Sequence, residues 1–228
     1  MLVVRVNMTD GVLPAGFQST DFPKKVNDIE FCVTNLREIP VDLDTKWLQG
    51  MIIQVEYSKL TTLPLAIANL HPLYLFLTGN PITEIPPEAF EVEGMIYLGV
   101  SETDIYELPR NVAKVSASLN LIEIGNTEIS FFWPWADQLV ERVENPALFV
   151  AGVTPYCEGL EKIENGVADD FPTQPSTEYS TILMNASEAN IQVISRAVDC
   201  TRLEKEPFYP LAYEDSINAL VPPPPLTK

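Results

Sequence analysis

One histidine, His71, stands in a chain of 228 residues, and that scarcity narrows the available chemistry. General-base catalysis needs a group with a tuned pKa beside a nucleophile or metal. His71 lies between Leu70 and Pro72-Leu73, a setting that suits a packed turn residue better than a base. Cysteine is also sparse. Cys32, Cys157 and Cys200 are separated by more than forty residues at each step, so their spacing offers no zinc-ligand cluster, and Cys32 lacks the histidine that usually activates a thiolate. No GxxxxGK[ST] or GxGxxG phosphate loop is present. Neither a catalytic group nor a metal or other cofactor is expected.

Basic residues are few: fourteen Lys and Arg face thirty-two Asp and Glu, for a formal charge of −18. Such a surface repels nucleic acid and anionic lipid at long range and favours neutral or basic protein partners, although it also serves solubility. Long apolar runs are missing too. The nearest, residues 63–77, carries Asn69, His71 and two prolines, well short of the roughly 20 apolar residues a membrane span requires. The opening MLVVRVNMTDG has Arg5 inside its apolar stretch and does not read as a secretory signal.

What the sequence does contain is a periodic frame. In YLFLTGNPITEIPPEAF, Leu75 and Leu77 alternate as in a half-buried strand, Asn80 follows, then Ile82, Ile85 and Pro86. The first anchor recurs at Ile29, Ile53, Leu75, Leu98, Ile122 and Leu148, about 22 to 26 residues apart. The second recurs at Phe31, Val55, Leu77, Val100, Ile124 and Val150. Ile39, Leu63, Ile85 and Leu108 each precede a proline, and Phe132 is followed by Trp133-Pro134. Alternation buries one strand face, the polar turn residue bonds backbone groups in the bend, and proline starts an extended return limb. The turn position is Thr34, Ser58, Thr103 or Thr127 in four units and Asn80 in one. Hydroxyls satisfy fewer backbone groups than an amide, which predicts a looser ladder.

On these residues the chain resembles the leucine-rich-repeat family, in its form with IP or LP pairs, over residues 29–157. The resemblance implies an α/β right-handed solenoid with a parallel strand ladder on its concave face, a surface that usually binds proteins. Residues 1–28 are expected to form a degenerate first repeat or the start of a truncated solenoid, with Val4 and Val6 alternating and Thr9 at the turn. Residues 158–221 are expected to form an irregular, partly helical C-terminal cap. There Ile191, Ile194 and Val198 share a helical face, Asn185 and Glu188 suit an N-cap, and Phe208, Tyr209, Leu211 and Tyr213 pack nearby. Residues 222–228 read as a polyproline tail. Cys157 and Cys200 bracket the cap as a staple would, and the closing YPLAYEDSINAL is similar to the tails of oomycete membrane or cell-surface repeat proteins. The sequons at Asn7 and Asn185 suit an extracellular or membrane-associated parent protein. Reduced cysteines in the cytoplasm are the alternative.

Side chains between and just after the anchors line up on the face opposite the core. In this frame the expected ligand-binding surface comprises Glu30, Gln54, Glu56, Tyr57, Tyr74, Phe76 and Thr78, continuing through Tyr97, Ser101, Glu102, Glu123, Asn126 and Phe149. Gly99 and Gly125 are expected to leave a shallow trough. Aromatic anchors with an acidic rim suit a protein interface in a receptor-like or signalling protein. An intracellular scaffold or regulator would use the same face. A hydrolase working through carboxylates would need a deep pocket with convergent polar groups.

Overall fold

In the computed structural model, which describes all residues except 143–145, 147, 174–175, 205–208 and 212–228, eight short strands form one parallel sheet in chain order. They are β1 (Leu2–Val4), β2 (Asp28–Cys32), β3 (Ile52–Glu56), β4 (Tyr74–Phe76), β5 (Tyr97–Gly99), β6 (Leu121–Glu123), β7 (Leu148–Val150) and β8 (Val198–Asp199). Each pairs with the next in sequence. The register runs anchor to anchor, Ile29 to Ile53, then Leu75, Leu98 and Ile122. Parallel neighbours need a crossover connection, and here the return limbs supply it with single helical turns. These are α1 (Leu65–Asn69), α2 (Glu88–Glu91) and α3 (Asp137–Val140); two longer helices, α4 (Pro155–Glu164) and α5 (Glu188–Ala197), follow.

Strand anchors and return-limb residues meet in one continuous apolar core, with Phe31, Leu77, Ile82, Val100, Ile124 and Phe132 fully enclosed. At the fifth limb Trp133 and Trp135, on either side of Pro134, reach the preceding limb by hydrogen bonds. Trp133 Nε1 donates to the Leu108 carbonyl and Trp135 Nε1 to that of Pro109, each at 2.8 Å.

The turns show why the polar position matters. Asn80 Nδ2 donates to the carbonyls of Val55 and Leu77, while its Oδ1 accepts from the Leu60 amide, so one side chain ties two units together. Thr103 and Thr127 each donate to the carbonyl three residues back in the same unit, Val100 and Ile124, with no bond to a second unit among the described residues. A second recurring device was not read from the sequence. Just before each turn residue from Thr34 to Thr154 the backbone takes a left-handed conformation, at Val33, Tyr57, Gly79, Glu102, Asn126 and Val153, and Arg5 does the same directly after β1, four residues ahead of Thr9, which starts a 3-10 turn instead of marking the bend. Side chains other than glycine resist that region, β-branched Val33 and Val153 most of all, so the bend is imposed by the stack.

The ends depart from expectation in register. In β1, Val3 pairs with Phe31 and packs on the core, whereas Val4 pairs with Cys32 and Val6 is exposed, so the expected Val4–Val6 alternation is displaced by one residue. In β7, Ile122 pairs with Phe149, and Phe149 and Ala151 take the core positions expected for Leu148 and Val150. The last unit then has Thr154 at its turn, bonded to the Ala151 carbonyl. Thr154 also caps α4 by accepting from the Cys157 amide. The cap of α5 is Ser187, not Asn185, whose Oδ1 accepts from the Ser187 amide. Ile194 is buried in α5 and Ile191 partly so, but Val198 has left the helix and pairs with Phe149 in β8. A disulfide joins Cys157 to Cys200 with Cα atoms 5.6 Å apart. Phe208, Tyr213 and the polyproline tail lie outside the described residues.

Candidate functional site

Alternation along the strands sends Glu30, Gln54, Phe76 and Glu123 to the face opposite the core, where Glu30 pairs with Gln54, Gln54 with Phe76, and Phe76 with Gly99. Glu56 at the end of β3, and Thr78 and Ser101 just past β4 and β5, continue the same face. These residues point where the sequence frame puts them, yet most are not accessible. Gln54, Glu56, Phe76, Thr78, Ser101 and Glu123 are all buried, while Glu30, Tyr57, Tyr74, Tyr97 and Glu102 are half-buried and Asn126 is exposed. Phe149 does not belong to this face. Its ring packs on Phe132 in the core at a centroid distance of 4.9 Å.

The burial has two causes. Small residues let neighbours close over them: the Phe76 ring lies over Gly99, where an added Cβ would stand 2.4 Å from it. The larger cause is the chain itself. After β8 the backbone turns at Cys200 and comes back across the sheet from β7 toward β3. Gly152 donates its amide to the Arg202 carbonyl at 2.8 Å, and Ser101 Oγ donates to the Leu203 carbonyl at 3.0 Å. Farther on, the Tyr209 amide donates to Glu56 Oε2 at 2.9 Å. A Cβ added at Gly125 would sit 2.2 Å from the Leu203 carbonyl oxygen, and one at Gly152 2.3 Å from that of Arg202. The trough expected over Gly125 is therefore filled by a strap of residues 200–204, which bends at Thr201 and Leu203, with Tyr209 beyond it. No signal in the sequence marks residues 200–204 as a strap, because its contacts are made by backbone atoms.

Beneath the strap lies a group of carboxyls. Burial, reinforced by Glu30 and Glu123, holds the Glu56 carboxyl up at about 7 against the opposing hydrogen bond from Tyr209. Glu204, on the strap, is raised to about 8 by burial and by Glu102, Glu56 and Glu123. Glu56 Oε1 and Glu204 Oε1 are buried without a hydrogen-bond partner of good geometry, and the Thr78 hydroxyl near both favours their ionised forms only in part. Beside them the Tyr57 ring lies over Gly79 and its hydroxyl donates to Glu102 Oε1 at 2.8 Å, spanning two units. Burial and that bond push the Tyr57 phenol upward. Tyr74 and Tyr97 stack at 4.4 Å along the strand entrances.

Among the described residues no group of three or more His, Cys, Asp and Glu is arranged to hold a metal ion, and no helix is long and apolar enough to cross a membrane. Both sequon asparagines are exposed, and His71 is exposed on a left-handed turn. No protein-family model and no curated protein matches this chain.

Proposed function

We propose that this chain is a leucine-rich-repeat-type solenoid that recognises protein partners by laying an extended, neutral or basic polypeptide segment across its acidic, concave sheet face. The framed anchors and the parallel sheet in strict chain order support the solenoid reading. One observation carries the binding reading: the face already holds a length of polypeptide, its own residues 200–204, whose backbone carbonyls accept from the Gly152 amide and the Ser101 hydroxyl and which approaches Gly125 closely. Backbone capture of an extended segment is a recurrent mode of peptide recognition, with side-chain pockets supplying selectivity. The phenolic rim of Tyr57, Tyr74 and Tyr97 and the carboxyls of Glu56, Glu102 and Glu123 supply those features here. An extracellular or membrane-associated parent fits the Cys157–Cys200 disulfide, which is typical of oxidising compartments.

Selection of a displayed random-peptide library on the immobilised full chain tests this reading. Enriched peptides should carry Lys or Arg, and Glu123→Gln should mainly slow their association and reduce its salt sensitivity. Phe76→Ala should weaken them. Peptides insensitive to both substitutions, yet weakened by Glu84→Gln or Glu88→Gln on the return limb, would move the site to the opposite side.

A further inference from the structure

The strap and the carboxyls beneath it form a single device. We propose that residues 200–204 and Tyr209 are a cis-acting cover for the outer sheet face, and that ionisation of Glu56 and Glu204 releases it, so that the face is closed in acid and opens toward mildly alkaline pH. This rests on the proposed binding role of that face and adds how access to it is controlled.

Glu56 lies on the sheet and Glu204 on the strap, each with a buried carboxyl oxygen that has no hydrogen-bond partner, and the charge on Glu56 acts on Glu204 across the interface between them. Groups around Glu56 come from the neighbouring elements: Cys32 and Glu30 on β2, Tyr57 next to it just past β3, Thr78 after β4, Glu123 on β6, and Glu204 and the Tyr209 amide from the strap side. Glu204 faces Glu102, Glu56, Glu123 and Thr78. The strap's nearest guanidinium, Arg202, pairs with Asp199 at 3.5 Å. Among the described residues the charges acting on Glu56 and Glu204 are carboxylates, and closing the strap with both ionised brings like charges together in a poorly hydrated site. Protonated, each carboxyl is relieved of that repulsion and becomes a hydrogen-bond donor, while the Thr78 hydroxyl beside them acts the other way, favouring the ionised form of both without outweighing burial.

What holds the strap otherwise is modest and mostly backbone: the bonds to Gly152, Ser101 and Glu56. Leu203 remains exposed, so little apolar burial resists release. The Cys157–Cys200 disulfide fixes the root of the strap at α4, which lets the cover lift without detaching β8. The sign follows from linkage. Both carboxyls bind protons more tightly when covered than when exposed, so the closed form is favoured below their ordinary range near 4.5 and loses that advantage as pH rises to about 7 and 8. An opened face then presents ionised Glu56 and Glu123, which suits a basic segment and disfavours return of the acidic strap.

Amide hydrogen exchange of the full chain, divided by the intrinsic rate at each pH, reads the device at the Gly152 amide, which donates to the strap. The Leu77 amide, bonded to the Gly99 carbonyl at 2.8 Å inside the sheet, is the internal reference. Protection at Gly152 should fall about tenfold or more between about pH 5.5 and about pH 8.5, while Leu77 stays constant. In the double variant Glu56→Gln with Glu204→Gln the fall should shrink to less than about twofold. Constant protection at Gly152 in the wild type, an equal fall in the double variant, or a parallel fall at Leu77 would each overturn the proposal. A fluorescein-labelled peptide of residues 200–211 with Cys200→Ser, added in trans, separates the two readings. Opening at Gly152 without any gain in peptide binding leaves the cover standing and removes the binding role.

Discussion

Asn80 shows how much one side chain can carry in a stacked architecture. It satisfies backbone groups on two units from a fully buried position, so Asn80→Ala strands several of them at once. Each buried unsatisfied group costs about 1–3 kcal/mol, and the loss in denaturant melts should be at the upper end of that range or above. Thr127→Val removes a single bond within one unit and should cost about 1 kcal/mol. Leu77→Ala opens a cavity in the core and should cost roughly 2–5 kcal/mol, a value that equilibrium unfolding in urea would check. Residues of this kind were legible because burial leaves a periodic trace. Phe149 was not, because the preceding return limb runs slightly longer and Leu148, Phe149 and Val150 are all apolar, so hydropathy cannot decide which of them faces inward. Thr154 resolves it: placing it at the turn position, three residues after Ala151, fixes the register.

Elements at the C-terminal end obey different forces from those in the middle. Strand β8 is two residues long and α5 is anchored chiefly through Ile194 and Ala197, so the disulfide has a large share in keeping them docked. Closing a loop with a sequence separation of 43 contributes on the order of 3–4 kcal/mol through the unfolded chain. Reduction of the full chain should accordingly raise amide exchange in α5 and β8 before it reaches β3 to β6. Melting temperature should also depend on pH. Glu56 and Glu204 are raised in the folded chain, so their stabilisation is present in acid below about 4.5 and disappears toward about 7 and 8. Thermal melts of Glu56→Gln should therefore vary less with pH across that window than those of the wild type. Helix α4 escaped the sequence reading although its start was written there, since Thr154 followed by Pro155 is an N-cap with proline in the first turn. The strap escaped for a deeper reason. Glycines at 125 and 152 signal close approach of a backbone, but nothing local says which segment approaches.

At the scale of the whole molecule, eight strands in chain order form one long parallel sheet with one face on the core, and the other is the face proposed to recognise partners. The net charge of −18 favours encounter with basic segments, so association should be faster at low ionic strength and slow as salt is added. The most direct test of the account is an amide-exchange footprint of the full chain with and without a selected basic peptide at mildly alkaline pH. Binding on the outer face predicts altered exchange at Gly125 and Gly152 and lost protection in residues 200–204, with the return limb at residues 84–93 unchanged. Altered exchange confined to residues 84–93, with the strap still protected, would contradict it.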